Sequence, residues 1–195
     1  MTLISALESI HKKGLFGDYE DKNENKLTKI QERKNLLIIQ IVQYKKSSAS
    51  ITDINLDDLN LTNEAHKVIS NDDTRILWCG PKNWLFISTK KDLLTNIKQT
   101  LKEMDFAVTD LSHSRAIIEL EGENSKEILK KGCPFNFNKL KKNNCVNSVF
   151  HGITITVDMI DDNPNKIRLF ALRSFGESLY HSITDASLEF GYKAI

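Results

Sequence analysis

The side chains able to do chemistry are few and scattered. Five histidines stand at positions 11, 66, 113, 151 and 181. None falls in an H-x-x-x-H or H-E-x-x-H spacing, which would set two imidazoles on one helix face for a metal. Cys79, Cys133 and Cys145 are too far apart for a Cys-x-x-Cys redox or zinc pair, so reduced, packed thiols are expected. The eight glycines form neither a Gly-x-Gly-x-x-Gly nor a Walker loop, and no self-contained phosphate cradle follows from them. Asp110-Leu-Ser-His-Ser-Arg115 gathers a carboxylate, two hydroxyls, an imidazole and a guanidinium. By residue type that cluster suits acid–base work, yet a turn between strands favours the same residues for local hydrogen bonds. Gly132-Cys133-Pro134-Phe135 offers a thiol at a helix exit, where the helix dipole opposes a thiolate and no base is adjacent in sequence. A tight exit anchored by Phe135 and Phe137 accounts for the same residues. The expectation is a chain with no catalytic, cofactor-binding or metal-ligating residue of its own.

What is left is recognition. Of the 27 basic residues only five are arginines, so each is a candidate clamp for a carboxylate. Arg173, in Arg-Ser-Phe, could grip a ligand or another chain, cover apolar surface, or pair with Glu177. Trp78 and Trp84 flank a turn and read either as core or as interface anchors. The candidate partner-contact residues are Trp78, Trp84, Arg115, Phe135, Arg173 and Phe175.

Composition narrows the partners. The 27 basic and 26 acidic residues of this 195-residue chain leave a net charge of +1, which argues against a nucleic-acid binder resting on a basic surface. No apolar run approaches the roughly 18 to 20 residues of a membrane helix. Residues 1–10 carry Glu8 and no basic n-region, unlike a secretory signal. A cytoplasmic location is expected.

The elements that must position these residues can be read from pattern. Residues 11–35 are dense in Asp, Glu, Asn and Lys and read as a polar N-terminal arm (1–35), ordered by a partner if at all. Residues 36–44 read as a buried strand, and 45–74 as short irregular elements. Arg75–Cys79 and Trp84–Ser88 form a hairpin around Gly-Pro-Lys-Asn. A helix is predicted over 90–104, started by Thr89 and Asp92, with Leu93, Leu94, Ile97, Leu101 and Met104 as its stripe. Strands follow at 106–111 and 115–121, then a helix capped by Asn124 and Glu127 that ends at Gly132. Residues 151–160 alternate, with Ile153, Ile155, Val157 and Met159 on one face, and 167–172 return. A last helix, capped by Ser174 and Glu177, carries Phe175, Leu179, Ile183, Ala186 and Phe190 inward. The fold class expected is α+β, antiparallel sheets with helices on one face and two ferredoxin-like halves, about 36–110 and 111–195, in a single domain.

Several patches read together resemble one family. Trp78-Cys-Gly-Pro-Lys-Asn-Trp-Leu85 is similar to the Trp-x-Gly-Pro-x-x-Trp-Leu hairpin of the gamma subunit of heterotetrameric sarcosine oxidase. Asp110–Phe137 resembles its strand, helix and Lys-Gly-Cys-Pro exit. Leu172–Leu179 and Asp185–Gly191 resemble its Arg-Ser-Phe helix and final turn. The family's Gln-Thr or Arg-Thr pair appears here as Asn147-Ser148. The resemblance implies a fold akin to the folate-binding aminomethyltransferases and a non-catalytic accessory subunit beside alpha, beta and delta chains. In that complex FAD, FMN, NAD and tetrahydrofolate are held by the larger chains. It oxidatively demethylates sarcosine to glycine, with hydrogen peroxide formed and a one-carbon unit passed to tetrahydrofolate. The alternative is a stand-alone folate-binding one-carbon transferase, with Arg173 or Arg115 clamping the glutamate tail and Asp110 facing the pterin.

Overall fold

The computed structural model describes residues 5–195. Strands β1 (Gly14–Phe16) and β2 (Thr28–Glu32) come first, then β3 (Leu37–Gln43), the short β4 (Asn55–Leu56), β5 (Leu59–Asn60) and β6 (Val68–Ser70). The hairpin β7 (Thr74–Gly80) and β8 (Asn83–Ser88) precedes helix α1 (Leu93–Thr100), β9 (Phe106–Asp110) and β10 (Arg115–Glu121). Helix α2 (Ser125–Lys130) leads to β11 (Asn144–Phe150), β12 (Ile153–Asp162) and β13 (Asn165–Leu172). Helix α3 (Gly176–Ser187) and β14 (Tyr192–Ala194) complete the order. The fold is α+β, with largely antiparallel sheets, and the chain divides into two compact units.

The first unit comprises residues 35–113 and 143–145. Its five strands run β6-β7-β8-β3-β9, each antiparallel to its neighbour. Because side chains alternate along a strand, Ile39 and Ile41 of β3 and Trp84 and Phe86 of β8 share one face, where Leu93, Ile97 and Leu101 close over them. The small β4–β5 hairpin turns through Asp57 and Asp58, both with positive φ (56° and 61°) as a type I′ turn requires. The Asp57 carboxylate accepts from Thr74 Oγ1 at 2.5 Å and Lys90 Nζ at 2.6 Å, which ties that turn to the ends of β7 and β8.

The second unit comprises the chain up to Lys34, 114–142 and 146–195. Its seven-stranded sheet runs β1-β14-β2-β10-β13-β12-β11, with β14 parallel to β2. Ile30, Ile118, Leu120, Ile155, Val157, Met159, Ile167, Leu169 and Ala171 alternate onto one face. Ile128 and Leu129 of α2 and Leu179 and Ile183 of α3 seal it.

Four expectations need correction. The 11–35 segment is no arm: it supplies β1 and β2, and β2 lies between β14 and β10. Its polarity misleads because Thr28 and Ile30 are buried, while Lys29 and Gln31 meet Glu121 and Glu119 across the strand pair. The first helix is shorter than 90–104, and Met104 lies beyond it, 79% exposed. Neither Asp92 nor Asn124 caps its helix with a side chain: the Thr89 hydroxyl donates to Asp73 at 2.9 Å instead, and Ser125 Oγ donates to the Gly122 carbonyl. Phe175 is not in the core stripe. It falls in a 3-10 turn, Arg173–Phe175, ahead of α3, and is 48% exposed. Among the described residues no helix is long and apolar enough to cross a membrane.

Candidate functional site

Strands β10 and β13 pair so that Arg115, first in its strand, faces Leu172, last in its own. The Arg173 amide then donates to the Ser114 carbonyl at 2.9 Å, which pins the turn leading into α3 against the start of β10. The backbone thus places Arg115, Arg173 and Phe175 at one end of the seven-stranded sheet. Leu172 joins them, 47% exposed, a residue that sequence reasoning passed over. Its signal was there: Ile167, Leu169 and Ala171 alternate into the core, so Leu172 falls on the other face. Leu172 and Phe175 are the exposed apolar side chains at this end of the sheet, and Arg115 Nη1–H donates to the Ser114 carbonyl and hydroxyl at 3.4 Å.

The other three candidates lie elsewhere. Trp84 is fully buried, and its indole N–H donates to the Thr62 carbonyl at 2.7 Å, so it is core and meets no partner. Trp78, its cross-strand neighbour, is half-buried beside the His66 ring. Phe135 is half-buried and edge-on to Phe137, with ring centroids 5.3 Å apart.

The residues that looked reactive serve local structure. The Asp110 carboxylate accepts both the amide and the hydroxyl of Ser112, at 2.9 and 2.6 Å. Partial burial works against its charge, but these bonds outweigh that and hold its carboxyl below the ordinary range. The Ser112 hydroxyl in turn accepts from the Ile38 amide. Cys133 is buried with its sulfur 3.0 Å from Ser148 Oγ, and burial pushes the thiol up, away from the thiolate a nucleophile needs. Among the described residues no group of three or more His, Cys, Asp and Glu side chains is placed to hold a metal.

Sequence reasoning also missed a charged cluster on the sheet face opposite the core of the second unit. Glu119, 1% exposed, accepts the Nε–H and an Nη–H of Arg168 at 3.1 and 2.8 Å and the Gln31 amide at 2.9 Å. Lys166 bridges Glu119 and Glu121 at 3.4 and 2.8 Å. Burial opposes the charge on Glu119, yet Arg168, Lys166 and Arg33 prevail and keep its carboxyl below the usual value. The cluster links β2, β10 and β13 and acts as a brace across them, with Arg33 Nε 3.8 Å from Glu119.

Against this geometry, residues 51–189 match the model of the sarcosine oxidase, gamma subunit family. The chain belongs to that family. A curated relative, the sarcosine oxidase subunit gamma of Corynebacterium sp. strain U-96, is 27% identical over 120 residues, which is 60% of this chain and 58% of that protein. The matched region therefore spans less than two thirds of the relative's length. Among solved structures, a chain of the heterotetrameric sarcosine oxidase from Corynebacterium sp. U-96, in complex with pyrrole 2-carboxylate, is similar with a TM-score of 0.77 at 22% identity. That match covers 86% of this chain and 87% of the other. The glycine cleavage system aminomethyltransferase T from Bartonella henselae is similar with a TM-score of 0.69 at 10% identity, over 100% of this chain and 60% of the other. At these identities the two structures establish a shared fold, the one expected from the family's motifs.

Proposed function

We propose that this chain is a non-catalytic accessory subunit of a cytoplasmic heterotetrameric sarcosine oxidase, acting in assembly beside alpha, beta and delta chains. Membership of the gamma subunit family over residues 51–189 carries the reading. In it, the larger chains hold FAD, FMN, NAD and tetrahydrofolate, and the complex converts sarcosine to glycine and hydrogen peroxide while passing the one-carbon unit to tetrahydrofolate. The surface formed by Arg115, Leu172, Arg173 and Phe175 is the contact proposed for a partner. It has the make-up of an interface anchor, an aromatic and an aliphatic side chain beside arginines, the residue types that dominate binding energy. Phe135 and Trp78, each half-buried, are left with edge contacts.

The likeness to aminomethyltransferase T favours a second reading, a stand-alone folate-binding protein. It requires Asp110 to face a pterin, whereas that carboxylate already takes two hydrogen bonds from Ser112. Two measurements separate the readings. The complex assembled without this chain is expected to lose yield or stability, and the purified chain alone is expected to leave tetrahydrofolate fluorescence unchanged. Saturable tetrahydrofolate binding by the chain alone supports the second reading instead.

A further inference from the structure

A trough of about 430 Å³ lies at the outer edge of the seven-stranded sheet, between β1 and α3. Helix α3 packs over β10 and β13, so β14 and β1 extend past it. Phe16 and Tyr192 stack at 5.2 Å as neighbours on those two strands and line the trough with Ile10 and Tyr180. Lys12, His181 and Glu177 also line it, and the Glu177 carboxylate accepts from the Ser9 hydroxyl at 2.6 Å.

Two of the polar groups inside are already used. Tyr180 Oη is 2.8 Å from His11 Nδ1, and the Thr184 hydroxyl bonds back to its own helix at the Tyr180 carbonyl. A small polar ligand would find aromatic faces here and few available donors. The strand edge offers something else: β1 is last in the sheet, and among the described residues no strand pairs with its outer side. An edge strand is normally guarded by charge, proline or cover. Gly14-Leu15-Phe16 carries no charge, and the cations Lys12 and Lys13 precede it.

We infer that this trough seats an extended segment of a partner chain, which pairs with β1, lowers one large apolar side chain onto Phe16 and Tyr192, and sets acidic residues against Lys12 and Lys13. Strand addition supplies the backbone hydrogen bonds, and the pocket beside it supplies the choice of side chain. This rests on the accessory-subunit reading but concerns a different surface from the Phe175 corner.

The test is hydrogen exchange on the assembled sarcosine oxidase complex and on the chain alone. The segment spanning residues 12–17 is expected to exchange at least about tenfold more slowly in the complex. A companion variant, Lys12→Glu with Lys13→Glu, alters two exposed side chains and leaves the fold intact; it is expected to weaken assembly several-fold. A complex that forms with unchanged exchange at 12–17 overturns the inference and leaves the accessory reading standing. Failure of the unmodified chain to enter any complex overturns both.

Discussion

At the scale of single residues, the charge on Glu119 is the most consequential. Both of its oxygens are occupied, one by Arg168 and the other by Gln31 and Lys166. Removing one partner of such a pair leaves a buried charge unanswered, so Glu119→Ala is expected to lower unfolding free energy by about 3–5 kcal/mol in urea titration. Glu121→Ala removes a carboxylate that is a quarter exposed, and about 1 kcal/mol or less should follow. The pH dependence has a definite sign. Because the Glu119 carboxyl in the folded chain lies below its ordinary value of 4.5, its contribution is fully present above pH 4.5 and drains away as pH falls through the folded value. A Glu119→Gln chain should therefore show a shallower loss of stability on acidification than the unmodified chain. Cys133 makes a separate prediction: with the thiol buried and pushed up, alkylation of Cys133 at neutral pH should be slower in the native chain than in urea by about two orders of magnitude or more, as protection by folding demands.

At the scale of elements, the hairpin β7–β8 and the turn at Asp57 offer two direct tests. Trp84→Ala is expected to cost about 3–5 kcal/mol because it empties a fully buried site and orphans the Thr62 carbonyl, a loss that denaturant unfolding will register. Asp58, exposed and at φ 61°, strains a turn that Gly fits without penalty, so Asp58→Gly should raise stability by up to about 1 kcal/mol. The hairpin, the helices and the long strands were legible because their apolar residues recur with clear periods and the Gly-Pro turn punctuates them. Several strands were not, β2, β11 and β14 among them. In β11, Asn144, Asn147 and Ser148 break the alternation. In β14 only three residues pair, after Gly191, whose φ of +68° and close approach to the Asp18 carbonyl turn the chain back toward β2. In β2, polar side chains that read as solvated in sequence, Gln31 and Lys29, are matched across the sheet to Glu119 and Glu121. A one-dimensional pattern cannot show that a lysine's partner lies on another strand 92 positions away.

At the scale of the whole molecule, exposure sets apart only two of the six candidate residues, the buried Trp84 and the exposed Phe175. Arg115, Arg173 and Phe175 converge because β10 and β13 are antiparallel partners, a pairing no local motif announces. Trp84 was ambiguous in sequence because an interface anchor and a core tryptophan have the same composition; only burial separates them. We propose that corner as a partner contact. Phe175→Asp should cut recovery of partner chains about tenfold or more, the scale of a lost interface anchor, with unchanged circular dichroism. Trp78→Phe should leave recovery within about twofold, since an edge contact contributes little.

The central claim is that this chain works only as part of a larger flavin-bearing assembly. Its most direct test is co-expression with the alpha, beta and delta chains of sarcosine oxidase, purification through a tag on this chain, and sizing with a visible absorption spectrum. The account predicts one yellow species containing all four chains at constant ratio. A colourless, monodisperse peak of this chain alone, with the other three assembled and active without it, would contradict it.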